Sequence, residues 1–254
     1  MRVKAGLVPG FFTMANMFCG YYSTLISASA HTSGPDSSGF ITAAWLIIAA
    51  GVLDVIDGKM ARITRSSSEF GVQYDSLADV VSFGLAPSAL AYYVFFHQWG
   101  TLGLLVSFIP LVFGSIRLAR FNVRLKGFDK DHFEGLPIPG AALTIATYVL
   151  FNFELWGSVR WDKLFFSLIL IVSLLMISSI RYDTMPNLSL RSDWFNRLKI
   201  LLLMIAFIII FSFPHTTFFP LMAIYVLSGI FRVVWGIFNP KKIDNNLQAK
   251  ENNS

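Results

Sequence analysis

The sequence predicts an all-α protein, a polytopic bundle of about eight transmembrane helices. Hydrophobic residues make up 55% of its 254 residues and charged residues only 14%, against roughly a quarter charged in soluble domains. The apolar residues form continuous blocks, and blocks of about 20 residues cross a bilayer as helices. In chain order, the predicted spans are 8–30, 40–58, 78–97, 101–119, 137–153, 163–180, 198–213 and 217–238.

We expect the first span to be a retained helix and not a cleaved signal peptide. It is too long for a signal-peptide core, and Asn16 and Cys19 interrupt it. Cys19 is the only cysteine, so it offers no disulfide and no cysteine metal site. We expect residues 1–240 to form a single transmembrane domain. The polar, Asn-rich residues 241–254 are expected to form a disordered cytoplasmic tail.

The charge distribution predicts the orientation of the protein. With the N-terminus in the cytoplasm, all of the 20 Lys and Arg residues except Arg160 and Lys163 lie in cytoplasmic segments, as the positive-inside rule requires. The net charge of +5 therefore reflects topology, with membrane lipids and no nucleic acid as the expected partner. We expect an integral inner-membrane protein with both termini in the cytoplasm. Polar cytoplasmic loops are expected at 59–77, 120–135 and 181–197.

Four aspartates lie where the second span ends and the third begins. Asp54 and Asp57 are three residues apart, and Asp75 and Asp79 are four apart, so each pair shares one face of a helix. Carboxylates at a membrane edge repel one another unless cations neutralise them, and they are functional by default. Clustered oxygen ligands favour Mg²⁺, Mn²⁺ or Ca²⁺. The pattern predicts two divalent cations, as in enzymes of phosphoryl displacement, with an active site facing the cytoplasm.

Small side chains separate the two acidic pairs. Gly58 and Ala61 keep one turn of the second helix free of bulk, and Gly71 does the same on the other side of the connection. A ligand could therefore approach the backbone closely. Arg62 lies one turn beyond Gly58 and could contact a phosphate or brace a carboxylate.

Two other interpretations of the acidic residues remain open. Asp54 and Asp57 could pair as ordinary interfacial charges with the nearby basic residues Lys59, Arg62 and Arg65. The cluster could also be the transport site of a metal or ion transporter. A transporter is expected to place its carboxylates near the middle of the bilayer, whereas these residues lie at the predicted helix ends.

The acidic and small residues together resemble the signature of the CDP-alcohol phosphatidyltransferases. The matching pattern is Asp54-x2-Asp57-Gly58-x2-Ala61-Arg62-x8-Gly71-x3-Asp75-x3-Asp79. The resemblance implies a core of six transmembrane helices, a homodimer and a cavity open to the cytoplasm. It implies that Asp54, Asp57 and Asp75 bind metal and that Asp79 both binds metal and acts as the general base. The residues implied to contact or make room for the CDP moiety are Gly58, Ala61, Arg62 and Gly71.

A longer segment is similar to one branch of this family, the membrane-embedded phosphatidylserine synthases. It is YDSLADVVSFGLAP, at residues 74–87, and residues 16–20, 117–122 and 135–139 add to the similarity. This resemblance implies transfer from CDP-diacylglycerol to L-serine with release of CMP. Another acceptor, such as inositol or glycerol phosphate, and an archaeal-type lipid substrate remain alternatives.

Basic residues at the end of the fourth span are candidates for binding the acceptor. Arg117 and Arg120 are three residues apart, with Asn122 just beyond them. Two guanidinium groups on one face suit a carboxylate or a phosphate, and serine carries a carboxylate. Anchoring of the helix by the positive-inside rule explains the arginines equally well. Pro137 and Pro139 are typical of a helix start and not of a substrate contact.

Overall fold

The computed structural model describes residues 7–33, 38–64, 68–125, 135–180, Tyr182 and 212–238. Within these ranges every regular element is helical, which confirms the predicted all-α fold. A π-helical turn, Val80–Leu85, joins the third helix to the fourth, and a 3-10 turn, Phe96–Trp99, precedes the fifth. The helices are α1 (Leu7–Thr32), α2 (Ser38–Thr64), α3 (Glu69–Asp79), α4 (Ala86–Val94), α5 (Thr101–Leu125), α6 (Ile138–Trp156), α7 (Asp162–Ile177) and α8 (Pro214–Phe238).

The helices are those of an integral membrane protein. Five described stretches are long and apolar enough to cross a membrane: Ser38–Ile63, Glu69–Val94, Thr101–Val123, Ile138–Trp156 and Pro214–Phe231. The predicted spans 8–30 and 163–180 also coincide with helices, α1 and α7. The predicted span 198–213 lies outside the described residues except at its end, as does the tail 241–254. The described helices are therefore consistent with eight spans.

Two of the predicted cytoplasmic loops are wrong in extent. Instead of a loop over 59–77, α2 continues to Thr64 and α3 begins at Glu69. Instead of a loop from 120, α5 continues to Leu125. The loop prediction rested on polarity, and polarity marks where a chain leaves the hydrocarbon, not where its helical hydrogen bonds stop. The predicted loop 181–197 lies outside the described residues apart from Tyr182.

Helix α3 begins at Glu69, before the predicted third span 78–97. Its functional residues therefore lie at other positions along the helix than the sequence predicted. Ser68 caps the helix, and its Oγ accepts a hydrogen bond of 3.0 Å from the backbone N–H of Gly71. Gly71 therefore lies in the first turn of α3. Asp75 and Asp79 lie near its C-terminal end, directly before the π-helical turn.

A stripe of small and polar residues brings α1 close to the rest of the bundle. Small residues let membrane helices approach closely in this way. A Cβ atom added at Gly20 would lie 2.7 Å from Ser82 Oγ, so α1 and the π-helical turn nearly touch there. The Ser82 hydroxyl donates a hydrogen bond of 2.9 Å to the backbone oxygen of Asn16. The stripe comprises the buried residues Asn16, Gly20, Ser23 and Ser27.

Helix α6 forms the centre of the hydrophobic core. Most of its residues are buried, and it packs against α2, α7 and α8. It begins directly after Pro137, with Pro139 in its first turn, as the sequence predicted. It ends at Gly157, whose left-handed conformation suits glycine.

Candidate active site

Three of the four predicted aspartates form a cluster between α2 and α3. Asp54, Asp75 and Asp79 each place a carboxylate oxygen within 4.8 Å of the other two. Asp79 is 9% exposed, and the other two are half-buried. Like charges this close and this poorly solvated repel one another strongly. An all-oxygen donor set of this kind fits a hard divalent cation.

The fourth aspartate, Asp57, lies outside this group of three and is held separately. It is buried, with 6% of its surface exposed. The Thr13 hydroxyl on α1 donates a hydrogen bond to Asp57 Oδ2. The other carboxylate oxygen, Oδ1, is buried and has no hydrogen-bond partner. Asp57 thus keeps one oxygen available as a ligand atom.

A second residue of α1 contacts the other acidic pair. The Asn16 side-chain amide donates a long hydrogen bond of 3.5 Å to Asp79 Oδ1. The Asn16 carbonyl oxygen, Oδ1, is buried and has no hydrogen-bond partner. Because Thr13 and Asn16 are three residues apart, one face of α1 reaches both acidic pairs.

Thr13 and Asn16 were not among the site residues predicted from the sequence. Asn16 stood out only as an interruption of the first span and as part of the segment 16–20 that is similar to one branch of the family, and Thr13 did not stand out. The available signal was two polar side chains at helical spacing in an apolar span, since polar groups there need a partner. These contacts also differ from the alternative in which Asp54 and Asp57 pair with Lys59, Arg62 or Arg65, of which Arg65 lies outside the described residues. Asp57 bonds Thr13, and Asp54 lies with Asp75 and Asp79.

The surface of α2 beside the cluster is open. Gly58 is exposed, and a Cβ atom added there would meet no atom within 4 Å. Ala61 is half-buried and Arg62 is exposed. On α3, Gly71 is also exposed, and an added Cβ would meet only Ser68 Oγ, at 3.2 Å. Of the four predicted nucleotide-contact positions, Gly58, Arg62 and Gly71 are therefore exposed, and Ala61 is partly so.

The two candidate arginines of α5 have different surroundings. Arg117 is half-buried, and its Nε is buried without a hydrogen-bond partner. Its charge interacts with Asp79 and with Tyr225 of α8. Arg120 is exposed, and its Nη1 donates a hydrogen bond of 3.3 Å to the backbone oxygen of Ile177, at the end of α7. The charge of Arg117 therefore acts on the acidic site, whereas Arg120 bonds the end of a neighbouring helix.

Asn122 connects α5 to α3. Its side-chain amide donates hydrogen bonds to Ser76 Oγ, at 2.9 Å, and to Gln73 Oε1, at 3.3 Å. Ser76 follows Asp75 directly. Asn122 thus fixes α5 against the helix that carries two of the clustered carboxylates.

Comparison with known proteins assigns the family. Residues 6–169 match the model of the CDP-alcohol phosphatidyltransferases. The chain belongs to this family. It is therefore a transferase, and the family is generally dependent on divalent cations. All four aspartates lie in the matched segment, and α8 lies beyond it.

Relatives resemble the transferase over most of its length. The CDP-diacylglycerol–serine O-phosphatidyltransferase of Helicobacter pylori is 37% identical over 93% of this chain and 96% of its own. The protein of the same name from Methanocaldococcus jannaschii is 31% identical over 90% of this chain and 95% of its own. The archaetidylserine synthase of Methanothermobacter thermautotrophicus is 37% identical over 71% of each chain.

Proposed function

We propose that this protein is a phosphatidylserine synthase. It transfers the phosphatidyl group of CDP-diacylglycerol to the hydroxyl group of L-serine and releases CMP. The observation that carries the proposal is the cluster of Asp54, Asp75 and Asp79 in a chain similar over 93% of its length to a relative named for this reaction. The similarity of residues 74–87 to the same branch supports serine as the acceptor.

The four aspartates Asp54, Asp57, Asp75 and Asp79 would hold two divalent cations, Mg²⁺ or Mn²⁺. The all-oxygen cluster and the partnerless Oδ1 atoms of Asp57 and Asn16 support this assignment. When bound, the ions would neutralise the diphosphate and stabilise the charge that develops on CMP as it leaves.

In the proposed reaction Asp79 is the general base. The serine oxygen forms a bond to the phosphorus that carries diacylglycerol, and the bond from this phosphorus to the bridging oxygen of CMP breaks. The serine hydroxyl proton passes to the Asp79 carboxylate. The Asn16 amide donates to Asp79 Oδ1 and so orients the carboxylate for this transfer.

Other residues bind the two substrates. The open surface at Gly58 and Ala61, with Arg62 and Gly71, accommodates the CDP moiety. Arg117 faces the serine carboxylate, and Arg120 and Asn122 complete the acceptor side. The electrostatic interaction of Arg117 with Asp79 supports this placement, because the hydroxyl group that attacks and the carboxylate belong to the same small molecule, serine. Arg120 bonds the backbone oxygen of Ile177, and Asn122 bonds Ser76. These contacts suit residues that support the acceptor side of the site structurally.

The orientation is also a proposal. We place the active site and both termini in the cytoplasm, in the inner membrane, because this accounts for the distribution of Lys and Arg. The test is cysteine labelling in a Cys19→Ser background. Ser67→Cys should react with an impermeant reagent only from the cytoplasmic side, and Ser37→Cys only from the outside. The reverse pattern contradicts this orientation.

The assembly is proposed to be a homodimer, as the family resemblance implies. Multi-angle light scattering of the detergent-solubilised protein measures its mass directly. A protein mass of two chains is expected, and a mass of one chain contradicts the proposal.

The function is tested by CMP release from the purified protein. CDP-diacylglycerol and Mg²⁺ or Mn²⁺ are supplied with serine, inositol or glycerol 3-phosphate in parallel. Only serine should support release, with phosphatidylserine as the lipid product. Release with another alcohol and not with serine would assign a different acceptor.

The similarity to an archaetidylserine synthase favours one second candidate, in which the lipid donor is a CDP-activated archaeal ether lipid. The same assay distinguishes the two donors. Faster serine-dependent CMP release from the ether lipid than from CDP-diacylglycerol would select this alternative.

A further inference from the structure

Two histidines meet at the end of α1 that lies away from the acidic site. His31 lies in the last turn of α1 and is exposed. His97 lies in the 3-10 turn before α5 and is half-buried. Their ring centroids are 4.2 Å apart, with an angle of 61° between the ring planes. At a rise of about 1.5 Å per residue, His31 is about 22 Å further along α1 than Asn16, which contacts Asp79. The two imidazoles therefore form a cluster separate from the acidic site.

The backbone on each side of this histidine pair is packed against other helices. In the 3-10 turn, Phe96 is fully buried and stacks on Phe165 of α7, with ring centroids 5.1 Å apart. At the end of α1, Ala30 is buried, and a Cβ atom added at Gly39 of α2 would lie only 2.5 Å from its Cβ. The residue after each of these two buried residues is one of the histidines. Helix packing therefore sets the backbone positions from which the two imidazoles meet.

One ring nitrogen of the pair lacks a partner. His97 Nδ1 is buried and makes no hydrogen bond. Buried polar atoms in folded proteins are nearly always hydrogen-bonded or bound to an ion. The imidazole of His31 lies against the ring that carries this nitrogen. An ion held between the two rings would give His97 Nδ1 the partner that it lacks.

The distance between the two rings suits a shared transition-metal ion. Neutral imidazole is a common ligand of Zn²⁺, Cu²⁺ and Ni²⁺. Metal–nitrogen bonds of about 2.0–2.1 Å place the centroids of two neighbouring imidazoles on one ion about 4.5–5.2 Å apart. From 4.2 Å, the rings need to separate by about 1 Å or less. The exposed His31 side chain can supply this movement by rotation, and its exposure gives the ion a path from solvent.

We propose that His31 and His97 bind a divalent transition-metal ion, Zn²⁺ or Cu²⁺, which joins the end of α1 to the 3-10 turn. Water completes the coordination of the ion. Cu²⁺ should bind more tightly than Zn²⁺, and Mg²⁺ should not bind, because it requires oxygen ligands. The ion stabilises the folded protein because it binds the two histidines only where folding brings them together. This site is independent of the proposed function and contributes no group to phosphoryl transfer.

The test is Cu²⁺ binding to the purified full-length protein without a histidine tag, with Mg²⁺ in excess and in a nitrogen-free buffer. Electron paramagnetic resonance should show hyperfine coupling of Cu²⁺ to nitrogen in the wild type, which carboxylate ligands do not produce. His31→Gln and His97→Gln should each remove this coupling. The matched control is His215→Gln, because the ring of His215 packs edge-on against Trp45, with centroids 5.4 Å apart. This variant should keep the nitrogen coupling of the wild type.

Affinity and thermal stability give two further measurements. Loss of a partner that only orients a metal ligand already weakens binding about 10- to 100-fold. Loss of His31 or His97 itself should therefore weaken the Cu²⁺ affinity of the nitrogen-coupled site at least about tenfold. Zn²⁺ should raise the Tm of the wild type and of His215→Gln by more than it raises the Tm of the other two variants.

Three results would each overturn the inference. They are a wild type without nitrogen coupling, unchanged coupling and affinity in His31→Gln, and an equal loss of coupling in His215→Gln. A cooperative thermal transition without added ion shows that each variant is folded. If the half-buried His97→Gln variant does not fold, His31→Gln decides the question alone, because His31 is exposed and its replacement disturbs no packed core.

Discussion

Gly20→Ala should uncouple α1 from the active site. The added Cβ would lie 2.7 Å from Ser82 Oγ and 2.9 Å from Ser82 N, and closer still to the backbone Cα of Ser82, which cannot rotate away. Ordinary Cβ contacts begin near 3.4 Å. Helix α1 must therefore retreat from the π-helical turn by about 1 Å, as overpacked residues force backbone shifts.

The cost of moving α1 away from the π-helical turn can be calculated as a change in the free energy of unfolding. Overpacking costs about 1–3 kcal/mol. The hydrogen bond from Ser82 Oγ to the Asn16 backbone oxygen, now 2.9 Å, would be lost for about 1 kcal/mol more. The bond from Asn16 to Asp79, already 3.5 Å long, would break. The free energy of unfolding should fall by about 2–4 kcal/mol, and kcat should fall about 100-fold because a catalytic group is misplaced by about 1 Å.

The assay is CMP release at saturating substrates, with thermal unfolding measured on the same preparations. Gly10→Ala is the matched control, because it adds the same methyl group to the same helix where no atom lies within 4 Å. It should keep wild-type activity and stability. Wild-type kcat in Gly20→Ala would refute the conclusion that α1 positions Asp79.

Three further predictions concern the proposed site. Asp54→Ala and Asp75→Ala should each abolish CMP release, because removing one ligand unbalances the whole cluster, and chelator-treated wild type should be inactive until Mg²⁺ or Mn²⁺ is restored; near-normal activity of either variant contradicts the metal assignment. Asp79→Asn should still bind CDP-diacylglycerol with metal present, measured by equilibrium binding, yet not turn over; lost binding would make Asp79 a ligand only. Arg117→Lys should raise the KM for serine roughly 10- to 100-fold and Arg120→Lys less than about threefold, because Arg117 interacts electrostatically with Asp79 whereas Arg120 bonds the backbone oxygen of Ile177; the opposite order refutes their assignment.

The helical bundle and the position of the acidic residues follow from local features of the sequence. Blocks of apolar residues require helices, because only helices satisfy their own backbone within lipid when the pattern does not alternate. The spacings of Asp54 with Asp57 and of Asp75 with Asp79 place each pair on one face, since helical periodicity is a local property. The start of α6 after Pro137 could likewise be predicted from the sequence, because proline fits the first turn of a helix.

The ends of the helices were less predictable. Hydropathy changes where the chain leaves the hydrocarbon, but the backbone hydrogen bonds of a helix can continue past that point. For this reason α2 and α3 extend into the segment predicted as the loop 59–77.

Only the tertiary structure decided which side chains meet. Asp54 joins Asp75 and Asp79, while Asp57 bonds Thr13, 44 residues earlier in the chain. Asn122 of α5 bonds Ser76 of α3, 46 residues earlier in the chain. Such contacts depend on the distance and rotation between packed helices, which small residues such as Gly20 set through close approach. A local sequence pattern gives the face of each helix, but the partner of that face is determined by how the whole bundle packs.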